Sequence, residues 1–314
     1  MCSSDLDLKF QSSLAIDIMD RNLYERANDC RWWALTTTFR ECLSHPSLSE
    51  ENREKMNAIL AYINDLYTVY STMFIYDRDG IIISVSTPDD HSLIGKRIGY
   101  SWAMETLDLK TTQDYVVSTF EPSPYYANRS TYIYNACIRN SSEENVGGIG
   151  IVFDAESQFE AMLYDTLPKD EHHAVSEGMF ALFIDRSGRV VSSTTSEISA
   201  GEILNLPESL LELSPGQSDA QILSFNNIYY ALGATCSNGY REYKQSDGYD
   251  NDIIAILYRP IGEVQALETE TPLQRIYTYP KPNGTEETCE ISTFFVGGSL
   301  FAVESKNVVC SLAH

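Results

Sequence analysis

A chain of 314 residues with a hydrophobic share of 43% has the length of about two ordinary globular domains. Its formal net charge of -23 repels phosphates at long range, which excludes DNA, RNA and anionic membrane surfaces as expected partners. Seven cysteines, an odd count without a Cys-x-x-Cys pair, read as reduced and mostly buried thiols and so favour a reducing compartment.

Residues 1–6, Met-Cys-Ser-Ser-Asp-Leu, look like the translation of a sequencing adapter and are left out of the fold reasoning. From Leu8 to about Arg40 there is no Pro or Gly. Leu14, Ile18, Leu23, Ala27, Cys30 and Ala34 recur at three- to five-residue steps, which predicts one long amphipathic helix. Ser44-His45-Pro46 ends it, and Ser47-x-x-Glu50 reads as the capping box of a return helix. Met56, Ile59, Leu60, Ile63, Leu66, Tyr67 and Tyr70 mark that helix's apolar face. Residues 7–70 are thus expected to form a helical pair. No run approaches the ~18 apolar residues of a membrane span.

Then comes a repeat. Phe74-Ile75-Tyr76-Asp77-Arg78-Asp79-Gly80, followed by a β-rich run to Thr87, returns as Leu182-Phe183-Ile184-Asp185-Arg186-Ser187-Gly188, followed by a β-rich run to Thr195. Each copy is a strand, an Asp-Arg-x-Gly turn and a second strand, with Gly supplying the positive φ of a tight hairpin. After the first hairpin come a short helical stretch and strands at Tyr115–Phe120, Thr131–Ile138 and Gly147–Phe153. After the second come a leucine-rich helical stretch, Ile203–Leu213, and strands at Ala220–Phe225, Ile228–Ala234 and Ile253–Tyr258. The expected fold is α+β: helices beside two tandem antiparallel-sheet modules, over residues 71–170 and 171–262. Residues 263–290, with Pro272, Pro280, Pro282 and Gly284, have linker composition. A new β pattern with a Gly-Gly turn occupies residues 291–314.

No nucleophile elbow, phosphate loop or zinc-protease motif appears, and His172-His173 has no further metal-ligand spacing around it. Neither an enzyme nor a cofactor is expected.

A helix pair followed by two modules with Asp-x-x-Gly hairpins resembles the double Cache (dCache) sensor domain of bacterial chemoreceptors, a PAS-like architecture. The run Asn22-Leu23-Tyr24-Glu25-Arg26-Ala27-Asn28-Asp29-Cys30-Arg31 resembles the first helix of the dCache subset found in the cytoplasm. Gly239-Tyr240-Arg241-Glu242-Tyr243-Lys244, with Asp247-Gly248-Tyr249 and Asn251-Asp252 after it, is similar to a loop of the same subset. The tail from Ser292 to Val309 is similar to the opening of a CheW-like coupling domain, truncated here. These resemblances imply a cytoplasmic, homodimeric small-molecule sensor acting on a CheW-like output, with the kinase CheA and receptors as partners. The alternative is a module that has lost sensing and only dimerises or scaffolds.

The resemblance also implies where a ligand would sit: in the first module, beside the segment after the hairpin. That places Arg97, Tyr100 and Trp102 around a cavity, faced by Tyr115 and Ser118 on one strand and Tyr132 and Tyr134 on the next, with Asp154 closing the last strand. Tyr and Trp offer apolar walls with a polar tip, while a carboxylate could fix an amine. Plain core packing is the competing reading of these aromatics. The amino-acid-binding pattern Arg-x-Trp-Tyr is broken here, because Tyr100-Ser101 precedes Trp102 and Ala103 follows it. In the second module Tyr240, Arg241 and Tyr243 are candidates. There the Arg pairs with a carboxylate or phosphate ligand, or clamps Glu25 or Asp29 of the long helix.

Overall fold

The computed structural model describes residues 3–45, 47–172, 174–239, 252–263, 291–296 and 299–304. The chain divides into two compact units, Met1–Gln265 and Ala266–His314.

Helix α1 (Ser3–Trp33) is the spine of the first unit. Its buried face, including Leu8, Ala15, Met19, Leu23, Ala27 and Cys30, belongs to one core shared with both sheets. The helix predicted to run to Arg40 breaks earlier, in a turn at Ala34–Thr36, and restarts as α2 (Thr37–Ser44). Buried Trp33, edge-on to Tyr67 and Tyr70, pins the chain at that break. The three β-branched residues Thr36–Thr38 favour it, because their χ1 freedom is lost in a helix. Helix α3 (Glu50–Leu66) is capped by Ser49, whose side chain accepts from Asn52 N at 3.2 Å, and not by Ser47 as the sequence suggested.

The first sheet is built from β1 (Tyr70–Asp77), β2 (Ile82–Val85), β3 (Val116–Val117), β6 (Ile133–Arg139) and β7 (Asn145–Phe153), in the order β2-β1-β7-β6-β3. Helix α4 (Ser101–Leu107) follows β2, a separate ribbon of β4 (Glu121–Ser123) and β5 (Arg129–Thr131) follows β3, and α5 (Ala155–Thr166) follows β7. The second sheet uses β8 (Phe180–Ile184), β9 (Val190–Ser193), β10 (Ser218–Phe225), β11 (Ile228–Cys236) and β12 (Ile254–Glu263), in the order β10-β11-β12-β8-β9. Every pairing in both sheets is antiparallel. Counted within its own module, each sheet has strand order 2-1-5-4-3, so the repeat in the sequence is a repeat of topology.

The two hairpin turns are built alike. Asp77 Oδ1 accepts from the backbone N–H groups of Asp79 and Ile81, and Gly80 sits at φ 74°. Asp185 Oδ1 accepts from Ser187 and Arg189, and Gly188 sits at φ 78°. The likeness extends to a strap the sequence reading missed. Gly95 N donates to Ile82 O and Gly201 N to Val190 O, both at 2.7 Å. Arg97 then bridges Ile81 as Ile203 bridges Arg189.

The leucine-rich stretch expected to be helical over residues 203–213 is mostly irregular. Only α6 (Glu208–Leu211) is helical, starting after Pro207. Leu210 and Leu213 are nonetheless buried, so the hydrophobic spacing marks core contact rather than helix. In the second unit β13 (Ile291–Val296) and β14 (Ser299–Glu304) form an antiparallel hairpin. The linker expected before it lies, from residue 264 to 290, outside the described residues.

Candidate functional site

The two faces of the first sheet do different work. One packs against α1. The other, beneath α4 and the β4–β5 ribbon, combines Phe74, Tyr76, Tyr100, Trp102, Tyr125 and Tyr126 with aliphatic residues such as Ile82, Val85 and Ile133. The glycines of β7 make this possible: a Cβ at Gly148 would lie 2.4 Å from the Tyr76 ring, and one at Gly150 2.4 Å from the Phe74 ring. The two rings therefore lie over the bare backbone of β7. Above them, Tyr100 and Trp102 stack with centroids 5.8 Å apart and planes 13° from parallel. Tyr125 reaches in from the ribbon, 5.2 Å from Phe74 and edge-on to Trp102 at 6.3 Å.

The space left has a volume of about 10 Å³, bounded by Tyr100, Trp102, Ser118, Glu121, Ser123 and Ile133. That is room for about one water. The pocket is thus filled by its own side chains.

Two buried polar atoms on this face have no partner, the Tyr76 hydroxyl and the side-chain oxygen of Asn135. Asn135, in the middle of β6, is fully buried and donates from Nδ2 to Ile133 O at 3.0 Å, while its Oδ1 has no partner. The acceptor lies next to Gly150, where a Cβ would come within 3.0 Å of it. Buried acceptors without partners are rare, and each calls for an explanation.

At the lip, Tyr126 donates to the carboxylate of Asp154, and Glu156 N donates to the Tyr126 hydroxyl at 3.3 Å. Arg129 lies 4.0 Å over the Tyr126 ring and is ion-paired with Glu156. Burial pushes the Tyr125 phenol up to about 12, with neighbouring Tyr100 adding to the shift. Tyr126 is raised too, by burial and by its bond to Asp154. Both phenols keep their protons at neutral pH and act as neutral hydrogen-bonding groups.

Of the residues singled out in the sequence, Tyr100, Trp102 and Ser118 meet at this pocket. Ser118 is structural there, its Oγ accepting from Ile133 N at 2.8 Å. Asp154 precedes α5 with its carboxylate committed to Tyr126. Four expected pocket residues are corrected. Tyr115, Tyr132 and Tyr134 pack on the opposite face, in the core shared with α1: Tyr115 lies under Arg31 at 4.9 Å, and Tyr132 meets Phe120 at 5.0 Å. For Tyr132 and Tyr134 alternation along the strand is the reason, since Ile133 and Asn135 take the pocket-side face and their neighbours cannot. Arg97 is exposed on the strap and takes no part in the pocket. Tyr240, Arg241 and Tyr243 lie outside the described residues.

Phe74, Tyr125, Tyr126 and Asn135 were not foreseen. An Asn inside the apolar run Ile133–Ile138 was the available signal. The Asn22–Arg31 run has a structural role. Arg26 lies 5.3 Å over the Tyr70 ring with its Nε 3.3 Å from Asp29, and Tyr70 donates to Asp29. Burial raises the Asp29 carboxyl, opposed by that hydrogen bond and by Arg26. Arg31 reaches Gln113 O at 2.8 Å. Glu25 and Asp29 therefore already have partners on their own helix.

A second, larger space of about 1000 Å³ lies between the modules. The β4–β5 ribbon and the first turns of α5, including Arg129 and Glu160, form one wall, and residues 189–196 with Gly201 form the other.

No family model matches the chain, and no curated protein matches it. Solved structures do. The extracellular domain of a protein assigned as a histidine kinase, rpHK1S-Z16, superposes with a TM-score of 0.57 at 12% identity, covering 82% of this chain and 95% of that one. The sensor domain of the Vibrio cholerae histidine kinase DctB gives 0.52 at 15% identity, over 82% and 98%. The ligand-binding domain of the Campylobacter jejuni chemoreceptor Tlp3, in complex with L-norvaline, gives 0.53 at 14%, over 81% and 90%. These are sensor domains of the dCache type, and the chain has their fold. Among the described residues no helix is long and apolar enough to cross a membrane.

Proposed function

We propose that the chain is a small-molecule sensor whose ligand enters the aromatic pocket of the first module, and that it signals to an output rather than catalysing a reaction. The observation that carries this is Asn135 Oδ1, a buried acceptor left unpaired on the sheet face that carries Phe74 and packs against Tyr100, Trp102 and Tyr125. Keeping such a group costs about 1–3 kcal/mol, a cost that a bound donor would offset. The fitting ligand has an N–H or O–H for Asn135 and an apolar body that stacks on the rings. Tlp3 has been solved with L-valine and with L-norvaline, which makes aliphatic amino acids the first arm of a screen. Among the described residues the lining of this space holds no arginine, and nearby Arg129 is paired with Glu156, so a neutral amide or alcohol fits this pocket better than a carboxylate.

The finer setting rests on the sequence. The CheW-like residues of the tail support a cytoplasmic location, a homodimer, and CheA and receptors as partners. A second reading, a scaffold that senses nothing, draws on the pocket's small free volume of about 10 Å³.

Thermal-shift screening separates the two, because a ligand bound only by the native state raises the midpoint. The expected result is a hit that stabilises wild type and not Asn135→Leu. That variant should itself gain about 1 kcal/mol, since the unpaired acceptor is gone. A hit that stabilises both alike would move the site elsewhere, with the cleft between the modules the first place to look. No hit across amino acids, amides and alcohols would favour the scaffold.

A further inference from the structure

The two modules repeat down to single hydrogen bonds, and they part company in the cleft between them. β2 and β9 are outer strands of their sheets and occupy equivalent places. Ile75 pairs with Ser84 as Phe183 pairs with Ser192. Ser86 N donates to Met73 O at 2.8 Å, and Thr194 N to Ala181 O at 3.1 Å. Ser86 Oγ accepts from Met73 N, and Thr194 Oγ1 from Ala181 N, both at 2.9 Å. Bonded pairs alternate with unbonded ones along an antiparallel ladder, so the N–H groups of Val85 and Ser193 point away from the neighbouring strand.

In the first module the outward donors are used. Helix α3, which precedes the sheet, supplies Asn57, whose Oδ1 accepts from Ser84 Oγ at 2.6 Å and from Val85 N at 3.2 Å. In the second module the preceding helix is α5, and among the described residues none bonds the Ser192 hydroxyl. Ser192 is only 6% exposed, and it lines the cleft of about 1000 Å³. The pair of donors that holds an amide oxygen in one module thus opens on the cleft in the other.

We propose that the cleft binds a short peptide, one of whose backbone carbonyls accepts from Ser192 Oγ and Ser193 N. A carboxamide and a peptide group share one chemistry, so Asn57 shows in the first module what the second is shaped to hold. Outer strands take up extended peptides through main-chain bonds of this kind. A space of this size suits a ligand of a few residues. The charges around it fit free ends. Arg129 and Glu156 pair with each other, but among the described residues Glu121, Glu160 and Arg189 belong to no ion pair. The two carboxylates stand on the wall of ribbon and α5, for the ammonium end. Arg189 stands on the opposite wall, for the carboxylate end. A ligand held in this way touches both modules, whereas the aromatic pocket lies within the first, so either site can fail alone.

Tri-alanine is the test ligand, followed by thermal shift and titration calorimetry on the full chain. It should raise the midpoint of wild type and of Asn135→Leu alike, and leave that of Ser192→Ala unmoved. In Asn135→Leu, free alanine, which has no peptide bond, should give no shift. Tri-alanine capped at both ends should bind several-fold more weakly, and Arg189→Gln, at an exposed position, should weaken the uncapped peptide to a similar degree. The two serines are each other's control. Ser84→Ala should melt below wild type, because its hydroxyl holds Asn57, while unliganded Ser192→Ala should melt with wild type. No response to tri-alanine, or an equal response from Ser192→Ala, would overturn the proposal. A Ser192→Ala chain that melts as low as Ser84→Ala would overturn it too, since that hydroxyl would then serve the fold and not a ligand.

Discussion

Trp102 shows how one residue can line a pocket and serve as core at once. It lies on α4 at the pocket, only 6% exposed, packed on Phe74, Tyr100 and Tyr125. With the pocket closed it acts as core, and Trp102→Ala should cost about 3–5 kcal/mol through the cavity it leaves. Denaturant titration should show the midpoint falling at unchanged slope. A loss below about 1 kcal/mol would mean that the ring already meets solvent and that the pocket stands open. The sequence brought Trp102 and Tyr100 forward because they follow a legible hairpin. It could not assign Tyr132 and Tyr134 to a face. Residues 133–138 of β6 are buried without exception, so the usual apolar–polar alternation carries no sign there. Tyr125 was hidden for a different reason: it lies in a turn after Pro124, in a stretch with no periodicity to read.

Among the elements, the two hairpins were the most legible, because an Asp-Arg-x-Gly turn between β-rich runs has few alternatives. Their surroundings differ in a way that only coordinates reveal. A Cβ at Gly80 would meet nothing nearer than Met104 Sδ at 3.9 Å, whereas one at Gly188 would sit 2.8 Å from the backbone oxygen of Leu204. Gly80→Ala should therefore cost about 1–2 kcal/mol, the price of a positive φ alone. Gly188→Ala must also displace the strap, whose Leu204 N donates to Gly188 O at 2.9 Å, and should cost clearly more. Equal losses in urea titrations of the two variants would show that the strap yields freely. The same strap explains the misread helix. It holds Leu204 extended, and Pro207 lets helix begin only at Glu208, so the leucines reach the second core from an irregular segment.

At the scale of the molecule, α1 decides whether two modules behave as one. Its first half is tied to the second module, with Ser12 Oγ 2.7 Å from Thr235 Oγ1 and both oxygens of buried Asp20 accepting from Ser237. Its last turns are tied to the first module through Asp29 with Tyr70 and Arg31 with Gln113. One apolar cluster runs through all three parts, from Leu8 and Met19 to Ile149 and Phe153, and on to Phe183 and Leu257. Neither module can unfold without exposing part of this shared cluster along α1. Calorimetry should accordingly show a single transition over residues 7–263, with calorimetric and van't Hoff enthalpies equal. Two resolved peaks would show that the modules are only neighbours, and α1 could then carry no message between them. A single peak makes coupling a property of the fold: whatever opens the aromatic pocket shifts an equilibrium in which the second module takes part.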